Sequence, residues 1–125
     1  MLSPTQAPNM DPLTKQQHYR PMIEAVMQAL IEAFYVENDP VQTQVIRDHE
    51  GGHYLLFSNG WKGVKRVYGC FLHIDLAEDG KVWLQHDGTD LVVGQMLLDQ
   101  GVPKSDLVLA FHHPSMRKDT GMAVG

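Results

Sequence analysis

Apolar residues recur at three- and four-residue steps in the first third of the chain, which is the period of an amphipathic α-helix. These residues are Ile23, Met27, Leu30, Ile31 and Phe34. Thr14 followed by Gln17 has the form of an N-terminal capping box. Because proline lacks the N–H that a helix interior uses, the helix is expected either to start near Pro21 or to kink there. The segment Asn38-Asp39-Pro40 is expected to stop it.

After Pro40 the period changes to two, which is typical of β-strands. The alternating runs cover residues 41–48, 53–58, 64–76 and 81–86. Short turns separate them, and Asn59-Gly60 is expected to break the second run. Consecutive runs joined in this way predict an antiparallel β-meander.

A second, shorter helix is predicted after the meander. Thr89 or Asp90 is placed to cap it, Gly101 to end it, and a short extended segment, Leu107 to Phe111, follows before a polar tail. The fold class is therefore α+β, with a long N-terminal helix and the shorter helix packed on one face of an antiparallel sheet. Residues 1–10, which are rich in proline, are expected to be a flexible extension, and residues 11–125 a single domain.

The longest run carries large apolar residues at both alternating sets of positions. Strict alternation places Tyr68, Leu72 and Ile74 under the helices, and Val67 and Phe71 on the other face. A solvent-facing sheet surface is normally polar, so a subunit, a partner protein or the C-terminal tail is expected to cover this second face. The predicted partner-binding surface consists of Val67, Phe71 and Trp83, with Lys65, His73, Asp75 and Gln85 around them.

Composition places the chain among globular proteins. Of its 125 residues, 43% are hydrophobic and 20% charged, and no apolar run is long enough to cross a bilayer. The first residues lack the basic start and apolar stretch of a secretory signal. Cys70 is the only cysteine, which excludes an internal disulfide and a multi-cysteine zinc site. A reducing cytoplasm is the expected compartment.

The charge balance argues against a dedicated nucleic-acid binder. Fifteen acidic and ten basic residues give a net charge of −5, whereas binding to phosphates depends on lysine and arginine. The basic residues are scattered along the chain. Those that would contact DNA, if the protein does so, are Lys62, Lys65, Arg66, Arg117 and Lys118.

No arrangement of residues predicts catalysis. A nucleophile elbow, a phosphate-binding glycine loop and a dinucleotide fingerprint are all missing from the sequence, and Cys70 lies in mid-strand, where a small buried side chain is expected. His73 and Asp75 share a strand face and, with His86-Asp87 or His112-His113, are the candidate ligands for Zn²⁺ or Mn²⁺. Their spacing matches no strong metal signature, so no metal, no cofactor and no enzymatic activity are expected.

Three separated blocks are similar to one known family. They cover residues 68–75 (YGCFLHID), 81–89 (KVWLQHDGT) and 101–109 (GVPKSDLVL). Phe111-His112-His113-Pro114, Arg117 and Ala123-Val124-Gly125 add a similar ending. The chain resembles the XisI proteins, the fdxN element excision controlling factors of cyanobacteria, over roughly Asp11 to Gly125.

The resemblance implies a regulatory protein. XisI is associated with programmed excision of a DNA element during heterocyst differentiation, beside a separate recombinase and the companion protein XisH, and the family has no agreed catalytic residues. A recombinase needs a serine or tyrosine nucleophile within a cage of arginines, which this sequence does not offer. The expected function is a non-enzymatic accessory factor of site-specific recombination that binds a protein partner such as XisH. The alternatives are a DNA-contacting excision factor and an antitoxin-like inhibitor of a nuclease-like partner; a homo-oligomer would also cover the second sheet face.

Overall fold

Two α-helices and five β-strands make up residues 10–125, the part of the chain that the computed structural model describes. The elements are α1 (Pro12–Ala33), β1 (Val41–Asp48), β2 (His53–Lys62), β3 (Lys65–Leu76), β4 (Val82–Asp87), α2 (Val93–Gln100) and β5 (Leu107–Leu109). Short 3-10 turns lie at Lys104–Asp106 and Pro114–Asp119. The expected flexible extension falls almost entirely on residues 1–9, outside the described residues.

Helix α1 starts well before Pro21. Asp11 is its N-cap, since a side-chain oxygen of Asp11 accepts a hydrogen bond from the Thr14 backbone N–H at 2.7 Å. This bond lowers the pKa of Asp11. Pro12 lies in the first turn, where its missing N–H costs nothing. The capping box at Thr14 and a helix start at Pro21 are therefore both wrong, and Pro21 lies within the helix on its exposed side.

The predicted meander is confirmed for β1 to β4, which are neighbours in chain order and antiparallel. β5 joins the other edge of β4 in parallel, so the five-stranded sheet is mixed. A parallel neighbour needs a crossover connection, and α2 lies in the segment that makes it. The polar tail adds an isolated parallel bridge between Ala123 and Val108 of β5.

The expectation that Asn59-Gly60 ends the second strand is wrong. β2 continues to Lys62 and turns at Gly63, which has a φ of +60°. Gly60 instead pairs with Val41 at the start of β1, and a Cβ at Gly60 would lie only 2.2 Å from the carbonyl oxygen of Pro40. This glycine therefore permits close approach between strands rather than a turn.

Both helices pack on one face of the sheet, as predicted, and the hydrophobic core lies between them and it. The helices contribute Tyr19, Ile23, Val26, Met27, Leu30, Val93 and Leu97, and the sheet contributes Tyr54, Leu56, Leu72, Ile74, Leu76, Val82, Leu84 and Leu107. Neither helix of residues 10–125 is long and apolar enough to cross a membrane.

The start of α2 is held by Asp87 and not by Thr89 or Asp90. One carboxylate oxygen of Asp87 accepts from the Val93 N–H at 3.1 Å, and the other accepts from the Thr89 N–H at 3.0 Å. Gly101 ends the helix in the left-handed conformation, with a φ of 116°, as the sequence predicts.

One buried carboxylate ties α1 to the crossover segment. Asp106 is only 4% exposed and accepts a hydrogen bond from the Tyr19 hydroxyl at 2.5 Å and one from the Lys15 ammonium at 3.1 Å. Burial, together with the bond to Asp106, raises the pKa of Tyr19. The hydroxyl therefore stays protonated and acts as the hydrogen-bond donor. The charged group is thus paired, as a buried carboxylate must be.

Candidate functional site

A β-bulge between β2 and β3 decides which side chains share a face of the sheet. Leu56 pairs with Leu72, but the next residue, Phe57, pairs with Cys70 and leaves Phe71 as an extra residue in β3. Because side chains alternate along a strand, one extra residue exchanges the two faces for the rest of the strand.

This bulge separates the apolar residues that alternation placed together. Phe71 packs edge-on against Phe34 at the end of α1, with ring centroids 6.1 Å apart. Val67 and these two phenylalanines line one groove on the helix side of the sheet. Trp83 lies elsewhere, in a shallow groove with Asp75 and Gln85. The prediction that Val67, Phe71 and Trp83 form one surface is therefore wrong, and so is the placement of Tyr68 under the helices.

The face of the sheet turned away from α1, here called the outer face, carries a different apolar surface. Its large side chains, assigned from the strand register, are Ile46, Leu55, Phe57, Trp61, Tyr68 and Trp83. Tyr68 is 63% exposed, Trp61 53% and Ile46 46%. The apolar excess expected on the second face of the sheet is thus present, but mostly through other residues.

Arg66 holds two of these rings in place. Its guanidinium lies 5.5 Å from the ring centroid of Trp61 and 5.0 Å from that of Tyr68. It also donates to the Asn59 side-chain oxygen at 2.9 Å and to the Gly60 carbonyl at 2.8 Å. One guanidinium thus contacts both aromatic rings, and both rings remain largely exposed to solvent.

The part of β2 and β3 that carries these rings, residues 57–70, is here called the hairpin arm. β4 pairs with β3 only over Leu72–Leu76. Over residues 65–70, β3 has β2 on one side and no strand of residues 10–125 on the other. The hairpin arm thus combines exposed aromatic rings with an open strand edge.

The C-terminal tail covers the outer face at Trp83. The guanidinium of Arg117 lies 5.3 Å from the Trp83 ring, and it donates to the carbonyls of His112 and Ala110 at 3.1 and 3.2 Å. The tail was one of the three covers expected from the sequence. It reaches Trp83, whereas the aromatic rings of the hairpin arm remain exposed.

Polar side chains gather around Asp75 on the same face. One carboxylate oxygen, Oδ1, lies 2.7 Å from Nδ1 of His53 and 2.7 Å from Nε2 of His73. Gln85 donates to the other oxygen, Oδ2, at 3.2 Å. The hydrogen bond and the charge of Asp75 raise the pKa of His53. His73, Asp75 and Gln85, three of the four residues predicted to surround the apolar surface, lie together. The fourth, Lys65, lies at the other end of β3, and His53 is an addition that only the register reveals.

The other histidine and carboxylate candidates have separate roles. Asp87 accepts a hydrogen bond from the Val93 N–H at the start of α2, and His113 accepts a hydrogen bond from the Ser115 N–H at 3.2 Å. Cys70 is half-buried with its thiol directed to the Leu72 carbonyl at 3.1 Å, and burial raises the pKa of this thiol. A raised pKa keeps the sulfur protonated and weakly nucleophilic.

The basic residues named for DNA contact form two groups. Lys62 and Lys65 pair at the tip of the hairpin arm beside Arg66, whereas Arg117 and Lys118 lie in the tail. Arg117 contacts Trp83, and Trp83 pairs with Asp75 near the end of β3. At the usual rise of a β-strand, Asp75 is about 30 Å from Arg66, so the two basic groups are far apart. One continuous basic surface does not result.

The fold and this surface define a small α+β protein with an aromatic sheet face. The family model described as "XisI protein" matches residues 10–124, and the chain belongs to this family. No curated protein matches it.

Two solved structures, both from Anabaena variabilis ATCC 29413, are similar over most of the chain. One is an fdxN element excision controlling factor XisI, with 33% identity, a TM-score of 0.76, and coverage of 89% of this chain and 99% of that one. The other is a XisI-like protein, with 33% identity, a TM-score of 0.81, and coverage of 88% and 99%. These comparisons confirm the resemblance and the α+β fold inferred from the sequence.

Proposed function

We propose that this protein is an excision controlling factor that performs no chemistry itself and acts by binding a protein partner. The related structure named as an fdxN element excision controlling factor supports the general role. The companion protein XisH is the candidate partner. The observation that carries the proposal is the outer face of the hairpin arm, where large aromatic side chains are exposed beside an open strand edge.

The residue types on this surface fit protein contact. Tryptophan, tyrosine and arginine are the residues that most often dominate the free energy of binding at interfaces. Here Trp61, Tyr68 and Arg66 lie together and are held by mutual contacts, so little side-chain entropy is lost when a partner binds.

The open edge of β3 supplies the second means of attachment. An extended segment of a partner can add to a sheet edge through backbone hydrogen bonds, while its side chains meet the face of the sheet. Residues 65–70 offer such an edge, and Tyr68 on the same stretch offers the side-chain contact. A partner strand at this position would lie beside Tyr68, whereas Trp61, on β2, would be reached only by a part of the partner that extends over the outer face.

The electrostatics favour a protein over DNA. The net charge is −5, the basic side chains form two groups far apart, and Arg66 and Arg117 are occupied by contacts within the chain. DNA binding needs several lysines or arginines free to neutralise phosphates along one surface.

The test measures binding of purified XisH from the same genome to the wild-type chain and to a Trp61→Ala/Tyr68→Ala variant. Tyr35→Ala is the matched control, because Tyr35 is 73% exposed and lies just after α1, away from the outer face. Truncating two interface anchors is expected to weaken binding at least about tenfold, whereas the control keeps the wild-type affinity.

Circular dichroism and thermal unfolding establish that all three proteins are folded. Equal affinities for the wild type and the double variant, or no binding of XisH by the wild type, would overturn the proposal. Binding to a duplex carrying the element ends, with an affinity that falls steeply with salt, would support the DNA-contacting alternative instead.

A further inference from the structure

We infer that His53, His73 and Asp75 bind a divalent first-row transition-metal ion, with Zn²⁺ the expected ion. The inference is independent of the proposed partner binding. It rests on how closely three side chains with metal-binding atoms meet on the outer face of the sheet.

The three side chains converge on one point. Each offers one ligand atom, and these atoms all lie within 4.8 Å of one another. Asp75 Oδ1 is central, at 2.7 Å from both His53 Nδ1 and His73 Nε2. Bonds of about 2.0–2.2 Å in a tetrahedral zinc site put neighbouring ligand atoms about 3.3 Å apart. Small rotations of the two imidazole rings therefore create the space for an ion.

Paired strands fix the positions of the ligands. His73 and Asp75 are two residues apart on β3 and so project from the same face, and His53 on β2 is directly opposite Asp75. All three positions belong to the hydrogen-bonded sheet rather than to a loop. Ligands held on regular strands need little ordering when the ion binds.

A fourth side chain orients the carboxylate. Gln85 donates to Asp75 Oδ2 at 3.2 Å, which leaves Oδ1 directed at the two imidazoles. The register between β3 and β4 passes from His73–His86 to Ile74–Leu84, so Gln85 is the extra residue of a second β-bulge. Bulges often redirect side chains at functional positions, and hydrogen bonds to ligating carboxylates are typical of metal sites.

The donor set selects the class of ion. Two imidazole nitrogens and one carboxylate oxygen suit zinc and its neighbours, whereas magnesium and calcium prefer oxygen alone. Asp75 and His73 are partly buried and His53 is about half exposed, so the fourth coordination position faces solvent. A water molecule can complete the tetrahedron there.

Protons compete with the ion for the imidazole nitrogens. Metal binding must displace these protons, and the affinity is expected to fall as the pH is lowered.

The test is a Zn²⁺ titration of the tag-free full chain in competition with a chromophoric chelator, repeated with Co²⁺ to record visible absorption. The variants are His53→Ala and Asp75→Asn. His18→Ala is the control, because His18 is exposed on α1 and outside the cluster. The expected result is one equivalent of Zn²⁺ near neutral pH. Each cluster variant should lose at least about tenfold in affinity, and the control none.

Thermal unfolding gives a reading that does not depend on the chelator. Zn²⁺ is expected to raise the Tm of the wild type and of His18→Ala but not of the cluster variants, since an ion that binds only the native state stabilises it. Equal Zn²⁺ affinity in the wild type and in a His53→Ala/His73→Ala double variant would overturn the inference. So would a Co²⁺ spectrum identical to that of free aqueous Co²⁺.

Discussion

The hydroxyl of Tyr19 is expected to contribute measurably to stability through its bond to the buried carboxylate of Asp106. Tyr19→Phe removes this hydroxyl and leaves the ring in the core. Tyr19 is fully buried and Asp106 nearly so, which means that water cannot easily replace the lost donor. Lys15 remains as the second partner of the carboxylate, at 3.1 Å from its other oxygen.

The magnitude follows from the charge of the acceptor. A hydrogen bond to a charged group contributes about 1.5–3 kcal/mol, and a buried acceptor left without its donor bears the desolvation cost. The remaining ion pair with Lys15 limits that cost, so a loss of about 2 kcal/mol is expected in the free energy of unfolding. For a domain of this size that corresponds to a fall in Tm of about 8 °C.

The assay is urea unfolding of the wild type, Tyr19→Phe and Tyr68→Phe at neutral pH. Tyr68 is exposed, so removal of its hydroxyl is expected to change the stability by less than about 0.5 kcal/mol. A change of that small size for Tyr19→Phe as well would refute the reasoning. The bond to Asp106 would then contribute nothing beyond what water supplies.

The remaining stability predictions concern one charge pair and two glycines. His53→Gln is expected to destabilise the protein more at about pH 5 than at about pH 9. Asp75 raises the pKa of His53 above 6.5, and the stabilisation from a raised pKa is lost as the pH rises through the folded-state pKa. Urea unfolding across this range checks the sign, and a loss that grows with pH contradicts it. Gly52→Ala is expected to cost more than about 2 kcal/mol, because φ is +74° and the new Cβ would lie 2.2 Å from the carbonyl oxygen of Leu76. Gly63→Ala has a similar φ but open space, so its loss should be near 1 kcal/mol, and equal losses would exclude the clash.

The elements could be predicted from the sequence because each has a strong local signal. Each of these signals depends only on residues of its own segment: the helix period in α1, the alternation in β3 and the glycine that ends α2. The predicted start of α1 is wrong because Thr14 and Asp11 both have side chains that can cap a helix. Pro12 favours Asp11 as the cap, but only once Pro12 is known to lie in the first turn. The parallel pairing of β5 depends on the crossover, for which no short pattern exists.

The candidate site was harder to predict because it depends on register. Alternation along β3 is correct on either side of Phe71, but the bulge at this residue exchanges the faces, and no local residue pattern signals it. For the same reason His53 could not be joined to Asp75 from the sequence. Only the pairing across the hairpin brings these side chains together.

The open edge of β3 affects which other polypeptides can pair with this protein. An unpaired strand invites any extended polypeptide, including another copy of itself, and lysines along such an edge are a common defence against indiscriminate growth of the sheet. Lys65 and Arg66 occupy two of the six residues there, with Lys62 facing them across the turn. These positive charges repel a strand that is rich in lysine and attract one that contains aspartate or glutamate. The positive charges at the tip of the hairpin arm therefore disfavour pairing of this edge with another basic strand and favour pairing with an acidic one.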